Sequence, residues 1–446
     1  MRTSHCRLSL SWRRRVVLFT ISGVVAGGLV PLVAVATSSP SKAANDVASM
    51  PDQQSALMAA HRLGHRVQID DATTPTMITY ANPNGSLTSE LSDAPVRVHR
   101  ADRWHDVDTT LQVVNGRVEP NVAVESYSFS DGGTSPLVSW QGDHGKELAL
   151  SWPGSLPAPT LSGDTATYAD ALPNVDVLVA ARRAGWEISL RVDAPVSGGV
   201  SVSLPIALTG LHSVLRKDGS FALADRHGRS VINSPTGEMW DATKDSVTGE
   251  SKHRSLDPAA IRNGQLVISA PASYLDDPST VYPVTIDPSL NIQDTSDLYV
   301  DKATPTTAYY HPSKLYLGYD GTNTDRDYLY FHDFASVRGK HILSAQLQLF
   351  NSYSSTCSNN SVDEQVDVYS LQAAWTYQTT WNTQPALGTK QGSAMFAHGR
   401  SSSCPAAYQN IPATGVVAGW ANYTDNTGML AMLASVENTT FGWKNF

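Results

Sequence analysis

Residues 345–350 read AQLQLF. Ala345, Leu347 and Leu349 alternate with Gln346 and Gln348, the period-two pattern of a strand with one buried and one wet face. Working outward, KLYLGY at 314–319, YLYF at 328–331 and VDVYSL at 366–371 follow the same design. Four such strands, each offering one apolar face, are expected to form the core of two sheets packed about 10 Å apart. The region upstream is punctuated by turn dipeptides: Asn84-Gly85, Asn115-Gly116, Asp131-Gly132, Pro153-Gly154, Asp218-Gly219, His227-Gly228 and Asn263-Gly264. Between them lie short β-branched or alternating runs, among them ELALSW at 147–152, VDVLVAAR at 175–182, VSVSLPI at 200–206 and QLVISA at 265–270. Strands this short and evenly spaced predict an all-β chain of sandwich type.

The N-terminus reads as an export leader. Arg2, Arg7, Arg13, Arg14 and Arg15 form a basic start, and residues 16–35 are apolar but broken by Ser22, Gly23, Gly27, Gly28 and Pro31. Ala34-Val35-Ala36 has the small-x-small form of a cleavage site. The alternative is a membrane anchor that is never cut; removal after Ala36 leaves no stable membrane span. Residues 37–76 are Ser-, Ala- and Asp-rich and read as a flexible linker. A β-rich region is expected over 77–288 and a second unit over 289–446, with the break at Asp287-Pro288. The expected setting is secreted or cell-surface.

The chain has 446 residues and a net charge of −9, and only 16% of its residues are charged. That balance argues against nucleic acid, which needs a basic face to displace counterions. No zinc helix motif, nucleophile elbow, phosphate loop or EF-hand loop is present, so no enzyme is expected. His105 stands beside Asp106 and near Asp108 without a nucleophile. The acidic pairs Asp297/Asp301 and Asp363/Glu364 sit in no recognisable hydrolase phrase. The loop YDGTNTDRDY at 319–328 gathers Asp320, Asp325 and Asp327; it reads either as a structural Ca²⁺ site or as an ordinary polar hairpin, with Arg326 in its middle opposing a cation. No other cofactor is expected. Beyond Cys6 in the leader there are two cysteines, Cys357 and Cys404, which in an exported chain are expected to form a disulfide rather than a metal pair.

Residues 375–385, WTYQTTWNTQP, place Trp375 and Trp381 six apart, followed by Asn382, Gln384 and Pro385. Together with DTSDLYVDKATPTTAYYHPSKLYLGY at 294–319, this phrase resembles the DNRLRE-type domain, which is also classed as a carbohydrate-binding module similar to family 96. RWHDVDTTL at 103–111, DGSFALADRHGRSVINSPTGEMWD at 218–241 and YPVTIDPSL at 282–290 resemble the N-terminal region of secreted actinobacterial RHS/YD-repeat proteins. The first resemblance implies a jelly-roll β-sandwich that binds polysaccharide or cell-wall glycan without catalysis. The second implies a display or scaffold segment of a large surface or toxin-delivery protein. In the DNRLRE pattern one more closing strand follows a phrase like FGWKNF at 441–446, so the expectation is either that the sequence is part of a longer protein or that the last strand is supplied differently.

Sugars offer flat C–H faces to aromatic rings and hydroxyls to amides. On that chemistry the candidate carbohydrate-binding residues are Tyr316, Tyr319, Trp375, Trp381, Asn382, Gln384 and Trp443. Each tryptophan has a competing role as a lock of the sandwich, and Tyr309 and Tyr310 are equally plausible as a platform.

Overall fold

The computed structural model describes residues 18–24 and 49–446, apart from 102, 184, 217–218, 235, 257–258, 289, 292–296, 311, 313 and 359–360. The chain is all-β, its many antiparallel strands joined by tight turns and a few short helices. It divides into two compact units, one built on Val107–Asp294 and the other on Val17–Asp106 together with Thr295–Asn445. Among the described residues no helix is long and apolar enough to cross a membrane.

The first unit holds an eight-stranded sheet that runs from Asp108–Val114 to Ala259–Arg262 and an eleven-stranded sheet centred on Val175–Arg182 and Gly185–Val192. Phe129, Trp140 and Leu266 of the former join Tyr168, Val177, Trp186 and Ile188 of the latter in one core. The turn at Asn115-Gly116 has positive φ at both residues (51° and 75°), the mirror-type turn that lets two twisted strands meet. Two polar side chains that enter the core find partners: Tyr168 donates to the Ser130 carbonyl at 2.6 Å, and buried Arg182 reaches Asp164 at 2.6 Å and Glu187 at 2.8 Å.

The second unit begins with β1 (Leu18–Val24), β2 (Ser49–Met50), α1 (Gln53–Leu63), β3 (Val67–Ile69), β4 (Met77–Ala81) and β5 (Ser86–Ser92). It resumes with β6 (Asp297–Asp301), β7 (Tyr309–Tyr310), β8 (Tyr316–Tyr319), β9 (Thr324–Tyr330), β10 (His341–Asn351), β11 (Tyr353–Ser354) and β12 (Gln365–Leu371). It ends with β13 (Leu387–Met395), β14 (Ala407–Pro412), α2 (Thr414–Ala421), β15 (Met429–Ala434) and β16 (Lys444–Asn445). One sheet has the order β2-β3-β4-β5-β1-β10-β14. The other has the order β11-β16-β8-β9-β15-β12-β13, with β6 paired to β9 and β7 paired to β6.

β10 behaves as its sequence predicts: Ala345, Leu347 and Leu349 are buried and Gln346 is exposed. β8 and β9 do not keep one wet face, because Tyr316 and Leu317, and likewise Tyr328 and Leu329, are buried on opposite sides. Gly318 explains how β8 is held so tightly. Its φ is +105°, and a Cβ there would lie 2.7 Å from the Gly442 carbonyl oxygen.

Residues 49–76 are not a flexible linker. Asp52 caps α1 by accepting from the Ser55 amide at 2.9 Å, and Gly64 ends it in the left-handed region with its N–H on the Ala60 carbonyl. Ala56, Ala59 and Ala60 then pack on Val67, Ile69, Ala81 and Leu87. A helix whose fully buried positions are all alanines, with half-buried Leu57 beside them, carries little hydrophobic contrast in sequence. Of the expected leader, Leu18–Val24 is a strand, and the cleavage phrase at 34–36 lies outside the described residues.

Candidate functional site

Strand parity builds the site. Across the ladders, Leu298 faces Tyr328, Val300 faces Arg326, and Ala431 faces both Tyr328 and Tyr369, so all of these share one face of the nine-stranded sheet. That face carries its own small core of Leu298, Val300, Tyr328, Leu371, Trp375, Ala431 and Leu433. Tyr310, Tyr330, Tyr369, Trp381, Leu387 and Met429 are half-buried around it.

The connection from β12 to β13, residues 372–386, folds over this cluster. It is held by its own polar groups: the Thr376 amide donates to Thr379 Oγ1 at 2.9 Å, and Thr380 and Thr383 cap the single turn that presents Trp381. Gln384 locks the turn to the sheet. Its Nε2 donates to the Trp381 carbonyl at 2.8 Å, and its Oε1 accepts from Tyr328 Oη at 2.8 Å and Arg326 Nη1 at 3.1 Å.

Arg326 also grips Glu437 with two bonds, of 2.8 and 2.7 Å, while its guanidinium carbon lies 4.7 Å from the Trp381 ring centre. Burial works against its charge, but the Glu437 carboxylate outweighs burial and holds the pKa above the ordinary value. Burial pushes the Tyr328 hydroxyl strongly up, so it stays a neutral donor. What remains open to solvent is a ledge. Trp381 is half-buried, Asn382 is exposed beside it, and Lys302 Nζ stands 5.9 Å from the Trp381 ring. Tyr377 is 52% exposed, with its ring 5.8 Å from Tyr310.

The structure therefore brings together Trp381, Asn382 and Gln384 of the expected residues, with Gln384 as a support. It does not bring Tyr316 and Trp443 to a surface. They belong to an inner stack in which Tyr309–Tyr299, Tyr299–Tyr316 and Tyr316–Trp443 lie 4.6, 5.2 and 5.9 Å apart, and Tyr316 is 7% and Trp443 3% exposed. Trp375, 9% exposed, is the plug under the ledge. Tyr319 is half-buried and donates its hydroxyl to the Gly321 carbonyl at 2.7 Å. Sequence reasoning missed Lys302 and Glu437, which no local pattern marks. It also misread Arg326, which alternates with Asp325 and Asp327 and so points to the opposite side of β9.

The acidic loop does not converge on an ion. Asp320 accepts from the amides of Thr322 and Asn323, both at 2.6 Å, and the Asn323 side chain bridges Asp301 and Asp325. Among the described residues no three His, Cys, Asp or Glu side chains are grouped to hold a metal. Cys357 and Cys404 are free thiols, not a disulfide. Desolvation and a hydrogen bond with Cys404 raise the Cys357 pKa, so the two sulfurs are neighbours.

The acidic pairs have structural duties. Asp301 caps the following turn through the Ala303 amide at 2.6 Å, and Glu364 accepts from Thr356 at 2.8 Å and from the Ser361 amide at 3.2 Å. Asp106 lies 3.6 Å from the Arg97 guanidinium. In the first unit buried Asp241 meets His253 Nδ1 at 3.0 Å, but Ser251 donates its proton to Asp241 itself at 2.6 Å. With the Thr243 and Val281 amides also on Asp241, this is a loop clasp without a nucleophile.

Over 196 residues the chain is 28% identical to the tRNA nuclease WapA of Bacillus subtilis (strain 168), a match that covers 40% of the chain. The tRNA3(Ser)-specific nuclease WapA of Bacillus spizizenii is 28% identical over 200 residues. The chain spans only 8% of the length of these relatives. Residues 288–444, which contain the whole ledge and its supports, match the model of carbohydrate-binding module family 96.

Proposed function

We propose that residues 288–444 bind a polysaccharide or cell-wall glycan on the ledge around Trp381, outside the cell, without chemistry on the sugar. The observation that carries this reading is the combination of a half-buried indole, fixed by Gln384 and Arg326, with exposed Tyr377, Asn382 and Lys302 beside it. A ring held from behind loses little freedom when a sugar stacks on it, so its area converts well into affinity. The family match supports the ligand class. The test is retention of the full chain on immobilised plant, algal and peptidoglycan polysaccharides. Retention on at least one, lost in Trp381→Ala, is expected; equal behaviour of both proteins on every matrix overturns the reading.

A second reading concerns the parent protein. Relatives whose length is covered to only 8% place this kind of segment within much larger chains. The β-units would then serve to display or anchor an activity carried elsewhere, as a wall-binding part of a surface or toxin-delivery protein. Both readings need export. Recovery of the protein from culture medium with its N-terminus after Ala36 is expected, and recovery only from the cytosol counts against them.

A further inference from the structure

We propose that β5 and β10 are the two walls of a strand-acceptor slot, and that after leader removal this slot takes an extended peptide of another polypeptide in place of Leu18–Val24. The segment Leu18–Val24 belongs to the stretch that the sequence reads as a leader, yet its backbone lies inside a sheet. It pairs antiparallel with β5 from Leu18↔Ser92 to Val24↔Ser86, and antiparallel with β10 from Leu18↔Gln348 to Val24↔His341. In that sheet it is the one strand that joins β2–β5 to β10 and β14. Its removal would leave two facing rows of unpaired N–H and C=O groups, separated by two strand spacings, or about 9.5 Å. Such a double edge is a strong template for an incoming strand.

The walls also specify what fits. Beside positions 19, 21 and 23 stand Leu91 and Leu347, Ser89 and Ala345, and Leu87 and Ile342. All six are buried. Beside positions 18, 20 and 22 stand Ser92 and Gln348, Glu90 and Gln346, and Thr88 and Ser344. Five of these six are Ser, Thr or Gln and one is Glu, so this row accepts polar side chains. The occupant is therefore about seven residues long, apolar at alternate positions and polar between them. A one-residue slip would turn its apolar row onto the polar one. The register shift between Ser344 and Ile342 marks one end of the slot.

The experiment uses the full chain with a protease site placed within residues 37–48. After cutting, a labelled synthetic peptide of residues 17–25 (VLFTISGVV, with a lysine tail for solubility) is offered in excess. Exchange of this peptide for the chain's own N-terminal piece is expected. A peptide with Ile21→Pro removes a ladder donor and should bind about ten-fold or more weakly, whereas Thr20→Lys should stay within about three-fold. No capture by a cut chain that keeps its melting midpoint overturns the proposal, as does equal capture of both variant peptides. A dimer in which a second copy fills the slot also overturns it. In the uncut chain, Ile21→Asp should lower the melting midpoint well below that of Thr20→Asp; equal midpoints reject the wall assignment even if the cut chain fails to stay folded.

Discussion

Two groups of aromatic residues share one sheet and do opposite things. The inner stack runs from half-buried Tyr309 through Tyr299 and Tyr316 to Trp443, and these last three rings have almost no exposed surface. The outer group Tyr310, Tyr377 and Trp381 lies over the other face and keeps part of each ring open. Neighbours in sequence fall on different sides: Tyr309 belongs to the inner group and Tyr310 to the outer. An aromatic-rich strand therefore does not mark a sugar site by itself. The side of the pleat does, together with whether a loop such as residues 372–386 gives the ring a fixed bed.

The comparison breaks most easily at Trp443. Loss of a fully buried indole leaves a cavity, and Trp443→Ala should cost about 3–5 kcal/mol of stability. Thermal or denaturant unfolding measures this. A variant that unfolds at the wild-type midpoint but no longer binds glycan would invert the inner and outer assignment. The cysteines probe the same inner side. Ser355, two residues before Cys357, donates its amide to the Trp443 carbonyl at 3.1 Å. Oxidation of the neighbouring thiols to a disulfide should add about 4 kcal/mol in the chain-entropy model without altering ligand affinity. Mass spectrometry of the purified protein with and without reductant, beside paired melting curves, decides this.

Lys444 sharpens the picture of the inner side, because it is a charge where none is wanted. It is fully buried, its Nζ has no hydrogen-bond partner among the described residues, and it lies 5.0 Å from the Phe396 ring. Desolvation pushes its pKa down to about 8 from 10.5, only partly offset by Glu364. The unfolded chain thus holds this proton more tightly than the folded one. The penalty is absent above pH 10.5, grows as pH falls towards 8, and is complete below that, at about 3 kcal/mol. Lys444→Met should stabilise the protein at pH 7 and flatten the rise in stability between pH 8 and 10.5. Parallel pH–stability curves for the two proteins that keep the same shape would reject this.

Much of this fold was legible in sequence because period-two patterning and turn dipeptides are local. AQLQLF needed no tertiary information, and neither did Asn115-Gly116. The site was legible only in part. Trp381, Asn382 and Gln384 stand in one phrase, but Arg326 comes from β9 and Glu437 from the bend that follows β15, and only the pairing of β9 with β15 brings them near. Trp443 and Tyr316 were misplaced because burial depends on which sheet faces them. The segment of α1 reads as linker because its fully buried positions are alanines, and small side chains leave almost no hydropathy signal of what they pack on.

On the outer side the same tests should give the opposite result. Trp381→Ala removes a half-exposed ring whose bed is already in place. Its effect should fall on binding, about 2 kcal/mol as for other central tryptophans at interfaces, with little change in melting midpoint. Calorimetry on the retained glycan and a melting curve on the same sample separate the two. A large fall in midpoint with unchanged affinity would make Trp381 another lock, and the distinction between the two aromatic groups would collapse.

The smallest expected effect asks what kind of sugar the ledge prefers. Arg326 is a cation, but Glu437 and Gln384 already occupy its donors. Lys302 is exposed and stands above the same indole. Any preference for carboxylated sugars would therefore rest on Lys302 and act across solvent, where a single ion pair contributes about 0.2–1 kcal/mol and weakens with salt. Lys302→Gln should reduce affinity for a uronate-containing glycan about two- to three-fold at low ionic strength, leave a neutral glycan unchanged, and show no difference at 1 M salt, where screening reaches about 3 Å. A loss that persists in high salt, or that falls equally on neutral sugars, would mean that Lys302 acts by hydrogen bonding or by packing on the indole. The outer group would then read shape and hydroxyls, with charge playing no part.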